Sequence, residues 1–327
     1  MFLNIKLYMS DKISMGRDNI IRLQKDIIDI IKHPLTDNGI YYAHDDSNML
    51  KGYAVIFGPD DTIYRYGAYI FEFYFPTTYP YSPPKLKYMT NDGSTRFHPN
   101  LYRNGKVCIS ILNTWRGEQW TSCQSIRSIL LMLVSLLHNK PLLNEPGIKE
   151  SNSSFLPYNK IITYKNLDIA ILQNIKNTTK YNDIINGLLI YHKKYIDEHK
   201  DDILKYICDI KEGDEYKNGI KIYKTSIYNM NIRVNYVKLY DDFVNYFNGK
   251  ELLPKKTKKN FLEKSFQKKN KVKSENKVKS KNKVKSENKV KSENKVKSEN
   301  KVKSENKGEN KGEKKSKTKV EKNEKVK

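Results

Sequence analysis

The sequence predicts an α+β fold, and three stretches carry that prediction. Arg17–Lys32 places Ile20, Leu23, Ile27, Ile30 and Ile31 on one stripe at helical spacing, the pattern of an amphipathic helix with one buried face. Residues 40–89 alternate short apolar runs with turn signals, the pattern of an antiparallel meander. From Gln124 onward the apolar spacing is helical again.

Each element follows from its residues. Residues 1–16 form a short lead-in, too mixed and too short in its first nine positions for a secretory signal. Pro34 ends the first helix, because proline lacks the N–H that a further turn needs. Arg22, Lys25 and Lys32 fall among that helix's polar positions. Lys51–Phe57 is strand-like, Gly58-Pro59-Asp60-Asp61 is a turn, and aromatic-rich Ala68–Phe75 suits a strand packed on both faces. The prolines of Tyr79-Pro80-Tyr81-Ser82-Pro83-Pro84 cannot donate to a strand ladder, so this stretch leaves the sheet as a rigid, extended loop. Gln124–His138 predicts a helix burying Ile126, Ile129, Leu130, Leu133, Leu136 and Leu137, with Thr121 or Ser122 as its cap. Tyr158–Lys176 and Tyr181–Ile210 continue the helical pattern, and residues 151–250 are expected to form a helical extension of the core at 17–150.

Chemistry concentrates between His98 and Trp120. Asn104-Gly105 is a strong turn signal, since both residues tolerate positive φ. A turn there folds the chain back and brings Cys108 to Asn100, eight residues earlier. A thiolate beside an amide suits acyl transfer: the sulfur forms or releases a thioester, and the amide N–H stabilises an oxyanion. A buried structural cysteine beside a hairpin is the other reading of the same pair.

His98-Pro99-Asn100, the spacing to Cys108, the run Ile109-Ser110-Ile111-Leu112 and the later Trp120 together resemble the active site of ubiquitin-conjugating enzymes. The resemblance runs from about Arg17 to Gly147, and more weakly to about residue 210. It implies the family's fold: an N-terminal helix, a four-stranded antiparallel meander, an active-site loop and C-terminal helices. It implies that Cys108 carries ubiquitin or a ubiquitin-like protein, that Asn100 supports the oxyanion or the loop, and that His98, Pro99 and Trp120 shape the site. Tyr102 matches a lysine-channel position. The stretch Lys140–Gly147 should fold back over the site, with Glu145 as candidate gate carboxylate and Asn144 as its alternative. Arg22 and Lys25 correspond to basic positions that engage the activating enzyme. Tyr81 and Ser122 fall in segments that meet ligases, although Trp120-Thr121-Ser122-Cys123 lacks the Pro and Ala usual in compact members. Cys123 reads as a packing residue rather than a second nucleophile. The insertion Asn113–Gln119, with Thr114-Trp115, resembles the large apollon (BRUCE) type.

Charge is unevenly distributed. The net charge is +24, and residues from Lys255 onward hold 29 Lys and 10 Glu, which leaves the preceding part nearly balanced. Lys-Val-Lys-Ser-Glu-Asn repeats six times over 271–306, once with Lys281 in place of Glu. With Val its only apolar residue, the repeat cannot bury enough surface to offset chain entropy, so residues 251–327 are expected to be a disordered tail able to meet polyanions. Three cysteines give no disulfide framework, which fits a reducing cytoplasmic or nuclear setting. No apolar run approaches the ~20 residues a membrane span needs. A conjugating enzyme needs no cofactor of its own, ATP being used by the activating enzyme. The competing functions are a catalytically weak adaptor of the same fold and a basic nucleic-acid-binding protein acting through the tail. Cys108 argues against the first, and the shortage of aromatics in the tail against the second.

Overall fold

A computed structural model describes residues 15–249 except Thr178, Lys217 and Asn218; most of the lead-in and the whole repeat-bearing tail expected over 251–327 lie outside the described residues. Helix α1 (Arg17–Lys32) buries Leu23, Ile27 and Ile30. Ile31, expected on the same stripe, is instead 48% exposed, because it sits one position past the face that meets the core. The meander follows as β1 (Ile40–His44), β2 (Lys51–Phe57), β3 (Ala68–Tyr74) and β4 (Lys85–Tyr88), four antiparallel strands in sequential order. The register sets Ile40 opposite Ile56, Ile56 opposite Tyr69 and Phe73 opposite Leu86.

Both faces of the central strands are covered, as the continuous apolar character of β3 requires. Ala54, Ile56, Tyr69, Phe71 and Phe73 join the main core with α2 (Ile126–Ser135). Tyr53, Val55, Phe57, Ala68 and Ile70 form a second cluster with Tyr181, Ile185, Leu188 and Leu189, the last three on α5 (Asp183–Glu198). Helix α2 starts later than its apolar pattern suggests. Its cap is Ser125, whose N–H donates to Ser128 Oγ at 2.8 Å, and neither Thr121 nor Ser122 caps it. Ser125 wins because its partner three residues on is also a hydroxyl, so the two satisfy each other.

The expected helix over Tyr158–Lys176 changes pitch twice. Helix α3 (Phe155–Lys165) passes into a π-helical stretch, Asn166–Gln173, and ends in the short α4 (Asn174–Lys176). Two buried asparagines pin this segment to the sheet. Asn166 accepts from Tyr69 Oη at 2.7 Å and donates to the Arg65 carbonyl at 2.8 Å, and Asn174 donates to the Ala68 carbonyl at 2.9 Å. Likewise Tyr181–Ile210 divides at His199 into α5 and α6 (Lys200–Glu212). The extension is not all helical. Residues 220–235 form an antiparallel hairpin, β5 (Ile220–Thr225) and β6 (Met230–Asn235), before α7 (Tyr236–Asn248).

Candidate functional site

The site is a small loop structure held against the sheet edge. Tyr102 N–H donates to the Lys106 carbonyl and Gly105 N–H to the Tyr102 carbonyl, both at 2.9 Å, closing the turn that Asn104-Gly105 predicts. Gly105 has φ +88°, and a Cβ there would lie 2.9 Å from the Tyr88 carbonyl, so only glycine fits without strain. Tyr88 N–H donates to the Gly105 carbonyl at 2.7 Å, which fixes the turn to β4. Beyond the turn the chain returns antiparallel, Leu101 bridging Val107.

That return sets Cys108 against Asn100. Cys108 N–H donates to the Asn100 carbonyl at 2.9 Å, and Asn100 Nδ2 donates to the Cys108 carbonyl at 2.5 Å. Both residues are buried, Cys108 at 2% and Asn100 at 3% exposure. Asn100 N–H in turn donates to His98 Nδ1 at 3.0 Å. His98 is thus a brace for the loop. Burial, then the nearby His138 and Arg96, hold its pKa down to about 3, so it stays neutral in the working range.

Two further histidines are held as neutral rings, His192 buried and His44 half-buried. Desolvation lowers both His44 and His192 to about 4; His192 Nε2 meets the Tyr66 carbonyl at 2.7 Å. A histidine whose folded pKa lies below its unfolded value leaves stability intact above about 6.5 and withdraws it as pH falls. Each of the three should cost about 2 kcal/mol by pH 5. Urea unfolding at pH 7 and pH 5 should therefore differ by several kcal/mol. A flat profile across that interval would show that these rings are not held neutral in the folded state.

The Lys140–Gly147 stretch does return to the site. Pro141–Asn144 makes a 3-10 turn that sends the two candidate residues in different directions. Asn144 Nδ2 donates across a long 3.5 Å to Asn100 Oδ1, and Asn144 Oδ1 accepts from His138 Nε2 at 3.1 Å. Glu145 Oε2 accepts from Tyr228 Oη. Tyr102 lies on the same side as Tyr228: the Arg96 guanidinium is 3.3 Å from the Tyr102 ring centre and 4.8 Å from that of Tyr228. Tyr102 and Glu145, expected as channel wall and gate, therefore belong to one cluster with Arg96 and Tyr228. Sequence reasoning singled out neither Arg96 nor Tyr228, nor the His138 that supports Asn144.

The remaining expected residues divide. Tyr81 is 74% exposed, the state a docking aromatic needs. Lys25 is exposed on α1. Arg22 is instead turned inward: it pairs with Asp26 and donates to the carbonyls of Ser122 and Gln124, so Arg22 and Ser122 hold each other. Trp120 Nε1 donates to the Pro80 carbonyl at 2.6 Å, with the ring packed on Tyr79. This anchors the proline loop that carries Tyr81. Cys123, expected to pack at the start of α2, is exposed, because α2 begins three residues later and leaves it in the preceding turn. In the insertion, Thr114 Oγ1 accepts from Ile109 N–H at 3.0 Å, and Asn113 Oδ1 from Trp120 N–H at 2.8 Å. Trp115 is half-buried.

The family model of ubiquitin-conjugating enzymes matches residues 22–157, the whole of this site except the hairpin. The chain belongs to the ubiquitin-conjugating enzyme family. Ubiquitin-conjugating enzyme E2 Z of Xenopus tropicalis is 37% identical over 173 residues, covering 52% of this chain and 55% of that protein. The human dual E2 ubiquitin-conjugating enzyme/E3 ubiquitin-protein ligase BIRC6, the apollon protein, is 39% identical over 159 residues, 44% of this chain and 3% of that protein. The solved structure of human ubiquitin-conjugating enzyme E2 G1 matches 37% of this chain and 94% of its own, at 31% identity and a TM-score of 0.32. The chain spans about half the length of the E2 Z relative. Among the described residues no group of three or more His, Cys, Asp or Glu is arranged to hold a metal, and no helix is long and apolar enough to cross a membrane.

Proposed function

We propose that this conjugating-enzyme domain accepts ubiquitin, or a ubiquitin-like protein, from an activating enzyme as a thioester on Cys108, and passes it to a substrate lysine, alone or with a ligase. The reciprocal pair of hydrogen bonds between Cys108 and Asn100 carries the proposal. It holds the backbone of the motif cysteine against the Asn100 side-chain amide. In loading, the Cys108 thiolate attacks the activating enzyme's thioester carbonyl and that enzyme's cysteine leaves. In discharge, a lysine nitrogen bonds to the carbonyl carbon, the bond to Cys108 Sγ breaks, and the amine releases its proton to solvent or a nearby carboxylate. Glu145 is the carboxylate we assign to that side, with Tyr102 lining the approach. Asn144 steadies Asn100. No cofactor enters these steps; ATP is consumed upstream. Tyr81 is assigned to ligase docking and Lys25 to the activating enzyme.

The test is incubation with activating enzyme, ATP and ubiquitin, read on gels with and without reductant. A reductant-sensitive adduct of one modifier is expected. Its absence with ubiquitin and with ubiquitin-like proteins would reject the assignment.

The tail is proposed as a polyanion contact separate from the chemistry, on the strength of its charge. Truncation before Lys255 should leave thioester formation intact and abolish binding to nucleic acid or anionic vesicles. In the full chain that binding should weaken markedly near ~0.15 M salt, where the Debye length is about 8 Å. Equal binding by the full and truncated chains would refute it.

A further inference from the structure

The tip of the β5–β6 hairpin reaches the catalytic loop. Ile227–Asn229 forms the turn between β5 and β6, with Tyr228 at φ 62° and Asn229 at φ 47°. A bulky side chain at positive φ is a strained arrangement that surrounding contacts have to hold. Several contacts hold it here. Ser226 N–H donates to the Oγ of buried Ser154 at 3.2 Å. Arg103 Nη2 donates to the Tyr228 carbonyl at 2.6 Å. The Tyr158 ring lies 6.1 Å from that of Tyr228, and Tyr158 Oη donates to the Arg96 carbonyl at 2.7 Å. Arg96 itself lies between the rings of Tyr102 and Tyr228 while donating to the His98 carbonyl at 3.2 Å. The tip therefore touches the His98-Pro99-Asn100 segment through one guanidinium and the gate stretch through one phenol. Burial, and then the bond to Glu145, push the Tyr228 hydroxyl well above its ordinary range, so it remains a proton donor throughout the working range.

We propose that Tyr228 is a positioning residue of the acceptor side of the active site. Its hydroxyl aims the Glu145 carboxylate, and its ring fixes Arg96 against Tyr102, so that an incoming lysine meets a preset wall. This rests on the conjugating function and on Glu145 as the acceptor-side carboxylate. A preset carboxylate matters only when an amine arrives. Loading brings no amine, so the two half-reactions separate a positioning role from a general structural one.

The experiment uses the full chain and compares Tyr228→Phe, Glu145→Ala and the double variant with the wild type. Phe keeps the ring against Arg96 and removes only the donor. Loading of Cys108 should be unchanged in Tyr228→Phe, while single-turnover discharge to free lysine falls about tenfold, the scale of one hydrogen bond to a charged group. In the Glu145→Ala background the Phe substitution should change discharge less than about twofold, because the hydroxyl acts through that carboxylate. Wild-type discharge by Tyr228→Phe would overturn the proposal, as would full multiplication of the two effects or an equal slowing of loading. Each of these leaves the conjugating function standing. A wild-type chain that never loads overturns both.

Discussion

Replacing Cys108 by Ser should abolish the reductant-sensitive adduct, while Cys123→Ser and Cys208→Ser should load as the wild type does. The expected effect is the largest any single substitution here should have, because it removes the atom that carries the acyl group. Serine keeps the shape and the backbone hydrogen bonds: the N–H still meets the Asn100 carbonyl, and the carbonyl still accepts from the Asn100 amide. What changes is the nucleophile. A hydroxyl is far less ionised than a thiol near neutrality, so only a slow, reductant-resistant oxyester should accumulate. The other cysteines lack the setting. Cys123 is exposed in the turn before α2. Cys208 lies on α6 with Sγ 3.1 Å from Glu212 Oε1, and that carboxylate pushes its thiol up, away from thiolate. A thioester on Cys108→Ser of normal yield would place the acceptor elsewhere and undo the assignment.

How far the sequence could be read depends on whether a feature is local. Helix α1 and strand β2 emerge over the residues their patterns mark, because a helical stripe buried on one face and a continuous apolar run buried on both are each written in consecutive residues. The turn at Asn104-Gly105 was equally legible, since Gly105 alone satisfies its φ of +88°. Nothing local announces where Arg22 points. Besides Asp26 on the same helix, the groups it reaches are carbonyls one hundred residues on, so an arginine on a polar helix position reads as solvent-facing until the fold is known. The π-helical pitch at Asn166 has the same origin, being set by Tyr69 and Arg65 across the sheet. The hairpin did leave a signal. Ile220, Ile222 and, across the turn, Met230, Ile232 and Val234 alternate with polar residues at period two around Tyr228-Asn229. The surrounding density of Tyr, Asn and Asp masks that alternation, and the contact of Tyr228 with Glu145 is beyond any local pattern.

Asn100→Ala should divide the two half-reactions. The Asn100 amide nitrogen sits 2.5 Å from the Cys108 carbonyl, so in the resting state it braces the loop. An amide nitrogen carries two hydrogens, and one bond leaves the second for an oxyanion formed on a thioester at Cys108. Loading exchanges one thiolate for another and is intrinsically easier than attack by a neutral amine, so the donor is needed most in discharge. Loss of one oxyanion donor typically slows a reaction ~10²–10³-fold, and that range is expected for discharge to free lysine, against near-normal single-turnover loading. The brace adds a separate signature. Removing a buried hydrogen-bond partner costs about 1–3 kcal/mol, which for a domain of this size lowers the melting temperature by roughly 2–4 °C per kcal/mol. A modest fall in melting temperature accompanied by selective loss of discharge therefore means that Asn100 does both. A fall in melting temperature with equal losses in loading and discharge would reduce it to a brace, since a displaced loop misplaces Cys108 for either partner. Asn100→Asp sharpens the choice: it keeps the side-chain shape but turns an acceptor oxygen toward the Cys108 carbonyl, so it should fail in discharge at least as badly as alanine.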